Sequence, residues 1–469
     1  MLSEGTFLTT QKGKPCFVEY GFEYVREREL ANSDMTAWRC ALFRSKLCRA
    51  RLQITQEGQV EVRMGEHNHS SDVSRAELRR VYNDMKQCAA RTDQNVTSII
   101  AAGARALSEH AAVRLPSIST VRRTLRAVRK RSRCEPSLPR TLSELLLPDA
   151  LLATEEGSIL LHDSGEADGE NRIVLLSRPD QVRRLSRCAH LFIDGTFHAA
   201  PSITFQLFTV HGLVNDRVVP LLYAFLPDKK QRTYVRVFRA VCNALPSFRP
   251  ISIMMDFEAA VINACRAVFP EAELHGCFFH LCQAVFRKVS ETHRVDYVRD
   301  SAFKLHVKML SALAFMPVQM VAETFDRIAA HLPDVIADYF ERTYIGRFRP
   351  HQPRQHPLFP IEFWNVRNRI LEALPRTNNS IEGWHNRFNL IVGAAHPTVF
   401  KAIEKIKAEM DLVSLELLQS DIGSEVHREM RYARADRQIL NLSNRLELAH
   451  SQGMDEVELV RSFALNLLD

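Results

Sequence analysis

The sequence predicts a multidomain α+β protein, and three observations support this fold class. Apolar and polar residues alternate over 50–54 and again over 60–64, on either side of a short turn, which indicates a β-hairpin. Basic charge is concentrated near the start of the chain and stops abruptly. Further on, three apolar strands joined by short turns precede alternating helices and strands, which favours a mixed sheet with helices on its faces.

Composition narrows the classes to which the protein can belong. A length of 469 residues suggests about two to four domains, and 46% hydrophobic with 25% charged residues is typical of globular proteins, not of disordered or fibrous ones. The sequence has no run of 18 apolar residues and no leader pattern at its start, so we expect neither a membrane span nor a signal peptide. Ten irregularly spaced cysteines favour reduced thiols over a disulfide framework.

The charge distribution marks a boundary and indicates a class of partner. Residues 1–140 carry a net charge of +10, and the remainder carries −3. Residues 101–140 contain ten basic and two acidic side chains, whereas residues 141–170 contain eight acidic and no basic ones. A basic module beside a nearly neutral domain predicts that the first part of the chain binds a polyanion.

The pattern of elements divides the chain into five segments. They are a small β-rich domain (1–72), a basic helical segment (73–135), an acidic linker (136–157), a mixed-sheet domain (158–400) and a helical C-terminal region (401–469). The first domain should contain strands over 17–24 and 38–43, and its hairpin should place Ile54 opposite Val60. The strands of the mixed sheet are expected at 189–197, 203–213, 217–226, 251–255 and 273–278.

The first candidate site is the set Cys40, Cys48, His67 and His69. The hairpin returns the chain so that His67 lies within about a residue of Cys48, and residues i and i+2 of an extended chain point to the same side. Two thiolates and two imidazoles suit tetrahedral Zn²⁺. The alternative is two buried thiols and two surface histidines without a metal.

The second candidate site is a basic helix predicted over 121–133, with Ser119 or Thr120 as its N-cap. One stripe of this helix is apolar and should face a core, and a preceding helix over 97–109 is compatible with a helix-turn-helix. A solvated basic face or a nuclear-import signal is the alternative. The residues expected to contact DNA phosphates are Arg122, Arg126, Arg129, Lys130 and Arg133.

The third candidate site is a set of carboxylates. Asp194 interrupts one apolar strand and Asp256 ends another, and a carboxylate in such a place must be neutralised, hydrogen-bonded or bound to metal. With Glu382 as a third member they could hold two Mg²⁺ ions, as phosphodiester cleavage requires. Each residue also has a structural alternative. Asp194 could form a turn before Gly195, Asp256 could cap a helix, and Glu382 could pair with Asn379 in a capping turn.

The N-terminal region resembles a known family, the FLYWCH zinc fingers. The matching positions are Phe7, Tyr24, Trp38, Cys40, Cys48, His67 and His69, with Lys12-Gly13 and Gly21-Phe22-Glu23-Tyr24 in the expected context. The leucine position of that pattern is taken by Phe17, which we expect to change packing and not metal binding. The resemblance implies one structural Zn²⁺.

Residues from about 158 to 415 resemble a MULE (Mutator-like element) transposase domain. The matching stretches are, in order, Asp194-Gly195-Thr196-Phe197, Phe205 through Gly212, Pro220 through Pro227, Met255-Asp256-Phe257-Glu258, Cys277-Phe278-Phe279-His280, Phe363-Trp364-Asn365, Arg376-Thr377-Asn378-Asn379 and Glu382-Gly383-Trp384-His385.

This second resemblance implies an RNase H-like fold with a DDE triad of Asp194, Asp256 and Glu382, and a helical insertion over 281–375. It also implies a role near the site for Cys277 and His280, which, from the sequence pattern alone, could equally be a buried thiol and a strand-end histidine. In one departure from some relatives, no cysteine follows Cys282 to form a later Cys/His knuckle.

Two functions follow from these resemblances. The first is a nuclear DNA transposase that uses structural Zn²⁺ and catalytic Mg²⁺ or Mn²⁺, with transposon terminal repeats and target DNA as its partners and a homo-oligomer as a compatible state. The second is a domesticated, transposase-derived DNA-binding regulator without catalytic activity. A third and weaker hypothesis, an unrelated metal nuclease, fits the carboxylates but not the ordered matches.

Overall fold

The structure is a computed structural model of the chain that describes residues 5–10, 14–30, 34–92, 94–132, 138–422, 430–451 and 455–467. The Lys12-Gly13 context and Arg133 therefore lie outside the described residues. The chain forms two compact units, Met1–Ser137 and Leu138–Asp469. None of the described helices is both long enough and apolar enough to cross a membrane.

The first unit begins with a six-stranded antiparallel sheet. Its strands are β1 (Thr6–Thr9), β2 (Pro15–Glu19), β3 (Phe22–Glu29), β4 (Met35–Cys40), β5 (Arg51–Thr55) and β6 (Val60–Met64), paired in chain order. Ile54 pairs with Val60, as predicted. The single strand predicted over 17–24 is wrong, because Tyr20 and Gly21 adopt φ angles of 48° and 78° and turn the chain back between β2 and β3.

Helices complete the first unit. They are α1 (Val73–Arg91), α2 (Val96–Arg105), α3 (Glu109–Ala112) and α4 (Ile118–Ser132). Buried apolar residues of α1, α2 and α4 form one cluster, so these three helices share a core. Helix α4 begins before the predicted start, and the side chain of Ser117, not that of Ser119 or Thr120, accepts a hydrogen bond from a first-turn amide, that of Thr120, at 3.4 Å.

The second unit contains a seven-stranded mixed sheet. Its strands are β9 (Leu160–Asp163), β10 (Val174–Leu176), β11 (His190–Thr196), β12 (Gln206–Val214), β13 (Arg217–Leu226), β14 (Ser252–Met255) and β15 (Glu273–Gly276), after a separate pair β7 (Ala153–Thr154) and β8 (Gly157–Ser158). The sheet order is β15-β14-β11-β12-β13-β10-β9. Strands β11, β14 and β15 are parallel to one another, and the others pair antiparallel.

Helices surround this sheet and build a second, helical core. The helices of the unit are α5 (Asp149–Leu152), α6 (Pro179–Leu185), α7 (Gln231–Ala244), α8 (Ala259–Val268), α9 (Phe278–Thr292), α10 (Arg294–Arg299), α11 (Ser301–Ala312), α12 (Val318–Ala329), α13 (Asp334–Phe340), α14 (Ile361–Trp364), α15 (Arg367–Leu371), α16 (Asn379–Val392), α17 (Val399–Asp421), α18 (Met430–Ser451) and α19 (Glu456–Leu465). Helices α7 and α8 share a core with the sheet, and α16 and α17 share another with it. Helices α9 and α11–α13 pack instead with α19.

The described part of the predicted acidic linker, from residue 138 onward, is not a free linker. Leu142, Leu145 and Leu152 are buried in the core that contains α16 and α17. The guanidinium of Arg172 donates to the carbonyl oxygens of Leu142 and Leu145 at 3.2 and 2.7 Å. The leucines drive this segment into the unit because burying their side chains outweighs the tendency of its acidic residues to stay in solvent.

Candidate metal centres and nucleic-acid interface

The four predicted zinc ligands converge in the first unit. The donor atoms of Cys40, Cys48, His67 and His69 all lie within 4.8 Å of one another. Cys40 Sγ is 3.2 Å from His69 Nε2, and Cys48 Sγ is 3.4 Å from His67 Nδ1. A tetrahedron with metal–ligand bonds of about 2.0–2.3 Å has edges of roughly 3.3–3.8 Å. The donor set and its spacing therefore fit a structural zinc ion.

Neighbouring groups orient both histidines toward the same point. Tyr24 Oη lies 2.8 Å from His67 Nε2, and the carbonyl of Ser70 accepts from His69 Nδ1 at 3.0 Å, so each imidazole keeps its other nitrogen for the metal. Burial raises the pKa of Tyr24 to about 12, so its hydroxyl stays neutral and can accept a hydrogen bond from the N–H of His67 Nε2. The ring of Phe22 stacks on His67 with 3.7 Å between centroids and fixes its plane.

One residue on the basic face of α4 has a structural role. The guanidinium of Arg129 donates to the carbonyl oxygens of Ala89 and Gln94 at 3.0 and 2.7 Å, which closes the C-terminal end of α1. Arg129 therefore stabilises the helical bundle and is held away from an outside ligand. The remaining described basic residues of the predicted set are Arg122, which is half-buried, and Arg126 and Lys130, which are exposed.

The two predicted catalytic aspartates lie at equivalent positions of neighbouring strands. The last paired residues of the parallel strands β11 and β14 are Phe192 and Met254, and each aspartate follows two residues later. Residues i and i+2 of a strand share a face, so both carboxylates belong to the same end of the sheet. Asp256 is not the N-cap of α8, because that position is taken by Glu258. Asp194 lies inside β11, although its Oδ1 accepts from Gly195 N at 2.7 Å.

Glu382 is linked to one of the two aspartates, Asp256, through a histidine. The N-cap of α16 is Asn378, which makes no side-chain capping hydrogen bond, so the capping turn suggested for Asn379 and Glu382 does not form. His280 Nδ1 lies 2.7 Å from Asp256 Oδ1, and His280 Nε2 lies 3.6 Å from Glu382 Oε1. His280 thus links two carboxylates that come from distant parts of the chain.

The carboxylate site is electrostatically strained. Burial, followed by the nearby charge of Asp256, raises the pKa of Asp194 to about 7. Burial opposes protonation of His280, but hydrogen bonds to Asp256 and Cys277 outweigh it and raise its pKa to about 10. Among the described residues, the Cys/His cluster is the one group of three or more such donors that lie close enough together to hold a metal ion, so the three carboxylates are not arranged as a group of that kind.

The donor set of this second site nevertheless suits a hard divalent cation. Its ligands would all be carboxylate oxygens, which Mg²⁺ and Mn²⁺ prefer. Burial, and after it the charge of Asp256, disfavours the ionised form of Asp194, and a bound cation would offset that cost. The chemistry of the donors, and not their spacing, therefore suits Mg²⁺ or Mn²⁺, with Asp194, Asp256 and Glu382 as the candidate ligands.

The pair Cys277 and His280 lies at a helix start and not at a strand end. Strand β15 ends at Gly276 and α9 begins at Phe278, so the interpretation of His280 as a strand-end histidine is wrong. The Sγ of Cys277 accepts a hydrogen bond from the backbone amide of Asn378 at 3.1 Å. This bond fixes the segment that leads into α16 and its Glu382.

Two further residues at this site were missed from the sequence. His385 Nδ1 lies 3.4 Å from Asp194 Oδ2. His385 follows Glu382 by one helical turn, and this spacing could have predicted that both residues lie on the same face of a helix. Glu258 accepts a hydrogen bond from Tyr234 Oη at 3.1 Å, and burial raises its pKa. Nothing in the local pattern distinguished Glu258 from an ordinary residue before a helix.

These features define a class of protein: a chain with a Cys₂His₂ cluster that fits a metal ion in a small β-sheet, and an acidic site at the ends of two parallel strands of a mixed α/β sheet. Residues 7–69 match the family model described as the FLYWCH zinc finger domain, and residues 190–284 match the one described as the MULE transposase domain. The chain therefore contains regions that match both domains, as the resemblances predict. The MULE match includes Asp194, Asp256 and His280 and ends before Glu382.

Comparison with solved structures adds only distant similarity. The chain is similar to a structure described as the "Drosophila P element transposase strand transfer complex", at 12% identity and a TM-score of 0.23, with 82% of this chain and 91% of that chain covered. A TM-score of this size supports no conclusion about fold or function. No curated protein matches the chain.

Proposed function

We propose that the protein is a DDE-type DNA transposase that cleaves transposon-end DNA and joins the ends to target DNA. The observation that carries the proposal is the placement of Asp194 and Asp256 at equivalent positions of parallel neighbouring strands, with His280 linking Asp256 to Glu382. The match of residues 190–284 to the MULE transposase domain supports it. An RNase H-like arrangement of the sheet is part of the proposal.

The side chains of the carboxylate site have separate roles in this proposal. The strands β11 and β14 hold the two aspartates, and the positive charge of His280 keeps Glu382 beside Asp256 although two carboxylates repel each other. His385 contacts the far side of Asp194 and restrains its carboxylate. When bound by the three carboxylates, Mg²⁺ or Mn²⁺ would stabilise the attacking and leaving oxygens of a phosphodiester.

The first unit supplies DNA binding in this proposal. The exposed Arg126 and Lys130 and the half-buried Arg122 would contact phosphates, and the zinc-dependent finger would add a second surface. Such a substrate implies that the protein works in the nucleus. The terminal repeats of the element would be the specific DNA partner.

The test is metal-dependent cleavage of DNA that carries the inverted repeats flanking the coding region. Glu382→Gln should reduce cleavage by orders of magnitude without lowering the melting temperature, because the residue caps no helix. Glu271→Gln, which changes an exposed glutamate of the same unit, is the matched control. Unchanged cleavage by Glu382→Gln would remove this residue from the catalytic set. An inactive parent that still binds DNA would favour the domesticated regulator.

A further inference from the structure

A cavity of about 640 Å³ lies between the sheet and helix α1 of the first unit. Thr9 and Glu23 line it from β1 and β3, and Arg79 and Asn83 line it from α1. Its lining contains none of the four candidate zinc ligands and none of the described basic residues of α4. The sites described above therefore do not account for this cavity.

Hydrogen bonds and a buried ion pair join the two walls of the cavity. Asn83 Nδ2 donates to the carbonyl oxygen of Thr9 at 3.1 Å. Arg79 donates from Nε and Nη2 to the two carboxylate oxygens of Glu23, at 2.7 and 2.8 Å. Because Glu23 is 7% exposed, this bidentate pair is largely shielded from solvent. The sheet and α1 are therefore held together before any ligand binds.

Positive charge exceeds negative charge in the lining. Among the described residues that line the cavity, five side chains are cationic and two, Glu23 and Asp72, are carboxylates. The cations are Lys14, Arg75, Arg79, Lys86 and Arg114. The three arginines engage both carboxylates, two of them at Glu23 and one at Asp72. Within the described chain, neither lysine forms an ion pair, so the carboxylates of the lining leave the lysine charges uncompensated.

Lys86 shows the cost of this imbalance. Its side chain is half-buried, and its ammonium lies 4.8 Å from the centroid of the Tyr82 ring, which holds it without adding a negative charge. Burial, and after it the charge of Arg79, lowers the pKa of Lys86, and among the described residues no carboxylate opposes this shift. An anion in the cavity would offset the cost of keeping this ammonium charged.

The cations of α1 form a row and not a single point. Arg75, Arg79 and Lys86 are separated by four and seven residues, so they lie on one side of the helix and span about 16 Å. One small anion would contact only part of this row. A polyanion with regularly spaced charges can contact all of it, and each strand of DNA carries one phosphate charge about every 3.4 Å along the helix axis.

We propose that this cavity binds phosphates of the DNA backbone, with Lys14 and Lys86 in direct contact and the arginines of α1 adding positive charge around them. This inference rests on the proposed function, in which the first unit binds DNA, and it names a binding surface separate from α4. Phosphate contacts carry no sequence information, so the cavity adds affinity for any DNA sequence.

The experiment measures binding of a blunt DNA duplex to the full chain at several salt concentrations, without chelator, so that the finger keeps its zinc. Replacing both lysines, Lys14→Gln with Lys86→Gln, should reduce the slope of log K against log salt by about 1.8, which is 0.9 for each lost phosphate contact. The melting temperature should not fall, because neither lysine leaves a carboxylate without its partner. The double variant Lys14→Arg with Lys86→Arg keeps both charges and should keep the slope of the parent.

The matched control is Arg80→Gln with Arg105→Gln, which removes two exposed positive charges of the same unit that do not line the cavity. Its slope should equal that of the parent. If the lysine-to-glutamine variant has the slope of the parent, or if the control loses as much, the inference is wrong, whereas loss of cleavage in Glu382→Gln would still support the transposase. A parent chain that binds no DNA would overturn the inference and the proposed function together.

A second measurement distinguishes DNA from a small anion as the ligand. Acylation of lysine amines, read by mass spectrometry, should modify Lys14 and Lys86 in the free chain and proceed more slowly at both when the duplex is bound. Inorganic phosphate at the same concentration of phosphate groups should not protect them, because separate ions do not span the row. Equal protection by inorganic phosphate would indicate a site for a small anion and would overturn the inference.

Discussion

The finger and the carboxylate site both bring ionisable side chains together, but they do so in cores of very different size. The finger closes on a small cluster built around Phe17, Tyr24 and Trp38. The carboxylate site lies at the edge of a seven-stranded sheet that has helical cores on its faces. The four finger ligands meet within 4.8 Å, whereas Asp256 and Glu382 of the second site are linked through His280.

This difference indicates how stable each fold is when no metal is bound. A small sheet has too little buried surface to be stable by itself, so its ligands must also stabilise the fold once the metal is bound. A large core can tolerate a repulsive group of carboxylates, because the cost is a fraction of its stability. We therefore expect the metal to determine folding in the finger and chemistry in the sheet domain.

Removal of zinc should have the largest effect. Cys48→Ser should unfold the finger, since structural zinc contributes about 10–16 kcal/mol in zinc-finger peptides. Hydrogen exchange on the full chain should show loss of protection in residues 7–69 and unchanged protection in the sheet domain. Cys88→Ser, which changes a half-buried thiol outside the cluster, should leave both regions protected. A finger that stays protected without zinc would contradict this account.

Replacement of one aspartate should have the next largest effect. Asp256→Asn removes a charge from the proposed metal site and from His280, and we expect cleavage to fall by about three orders of magnitude or more. DNA binding should change little, because we assign it mainly to the first unit. Single-turnover cleavage and a binding titration on the same preparation measure the two quantities. Comparable losses of cleavage and binding would mean that Asp256 acts through DNA affinity and not through chemistry.

The stability of the metal-depleted sheet domain should depend on pH through Asp194. Its pKa of about 7 in the folded chain exceeds its ordinary value of 3.8, so the folded state binds the proton more tightly and stability is lost as pH rises from about 4 to about 7. Asp194→Asn avoids that loss. The difference between its melting temperature and that of the parent should therefore increase across this pH range and reach several degrees. At higher pH the difference should stay constant.

The control for this comparison is Asp338→Asn, at an exposed position of the same unit. Its difference from the parent should be small and should not follow the same pH range. A constant difference between Asp194→Asn and the parent from pH 4 to 8 would show that Asp194 is not strained in the folded protein.

The sequence predicts the features that depend on local periodicity and misses those that depend on distant contacts. Alternation in the hairpin places Ile54 opposite Val60 and brings the Cys and His ligands together, because a two-stranded register follows from the residues themselves. The five strands expected between 189 and 278 all form, with small shifts at their ends. The turn at Tyr20 and Gly21 was missed because the aromatic and β-branched residues on both sides of it favour a strand.

Long-range partners could not be predicted from single stretches. In the sequence, Arg129 cannot be distinguished from the other basic residues of α4. Its structural role follows only from its hydrogen bonds to carbonyl groups at the C-terminal end of α1. The bridge from His280 to Glu382 joins helices far apart in sequence. Leu142, Leu145 and Leu152 are buried because α16 and α17, which come much later in the sequence, pack against them. The placement of Glu382 in a DDE triad came from the family resemblance and stays a prediction.

The smallest predicted effect separates the two roles on α4. Each phosphate contact that is lost should reduce the steepness of log K against log salt by about 0.9, so Arg126→Ala should reduce it by about that amount and lower affinity equally for all DNA sequences. Arg129→Ala should leave the slope unchanged and lower the melting temperature of the helical segment instead, because two carbonyl groups of the bundle lose their donor. Binding titrations at several salt concentrations, with a thermal melt of each variant, measure both quantities. If Arg129→Ala flattens the slope as much as Arg126→Ala does, then DNA draws Arg129 away from α1, and the bundle must rearrange when it binds.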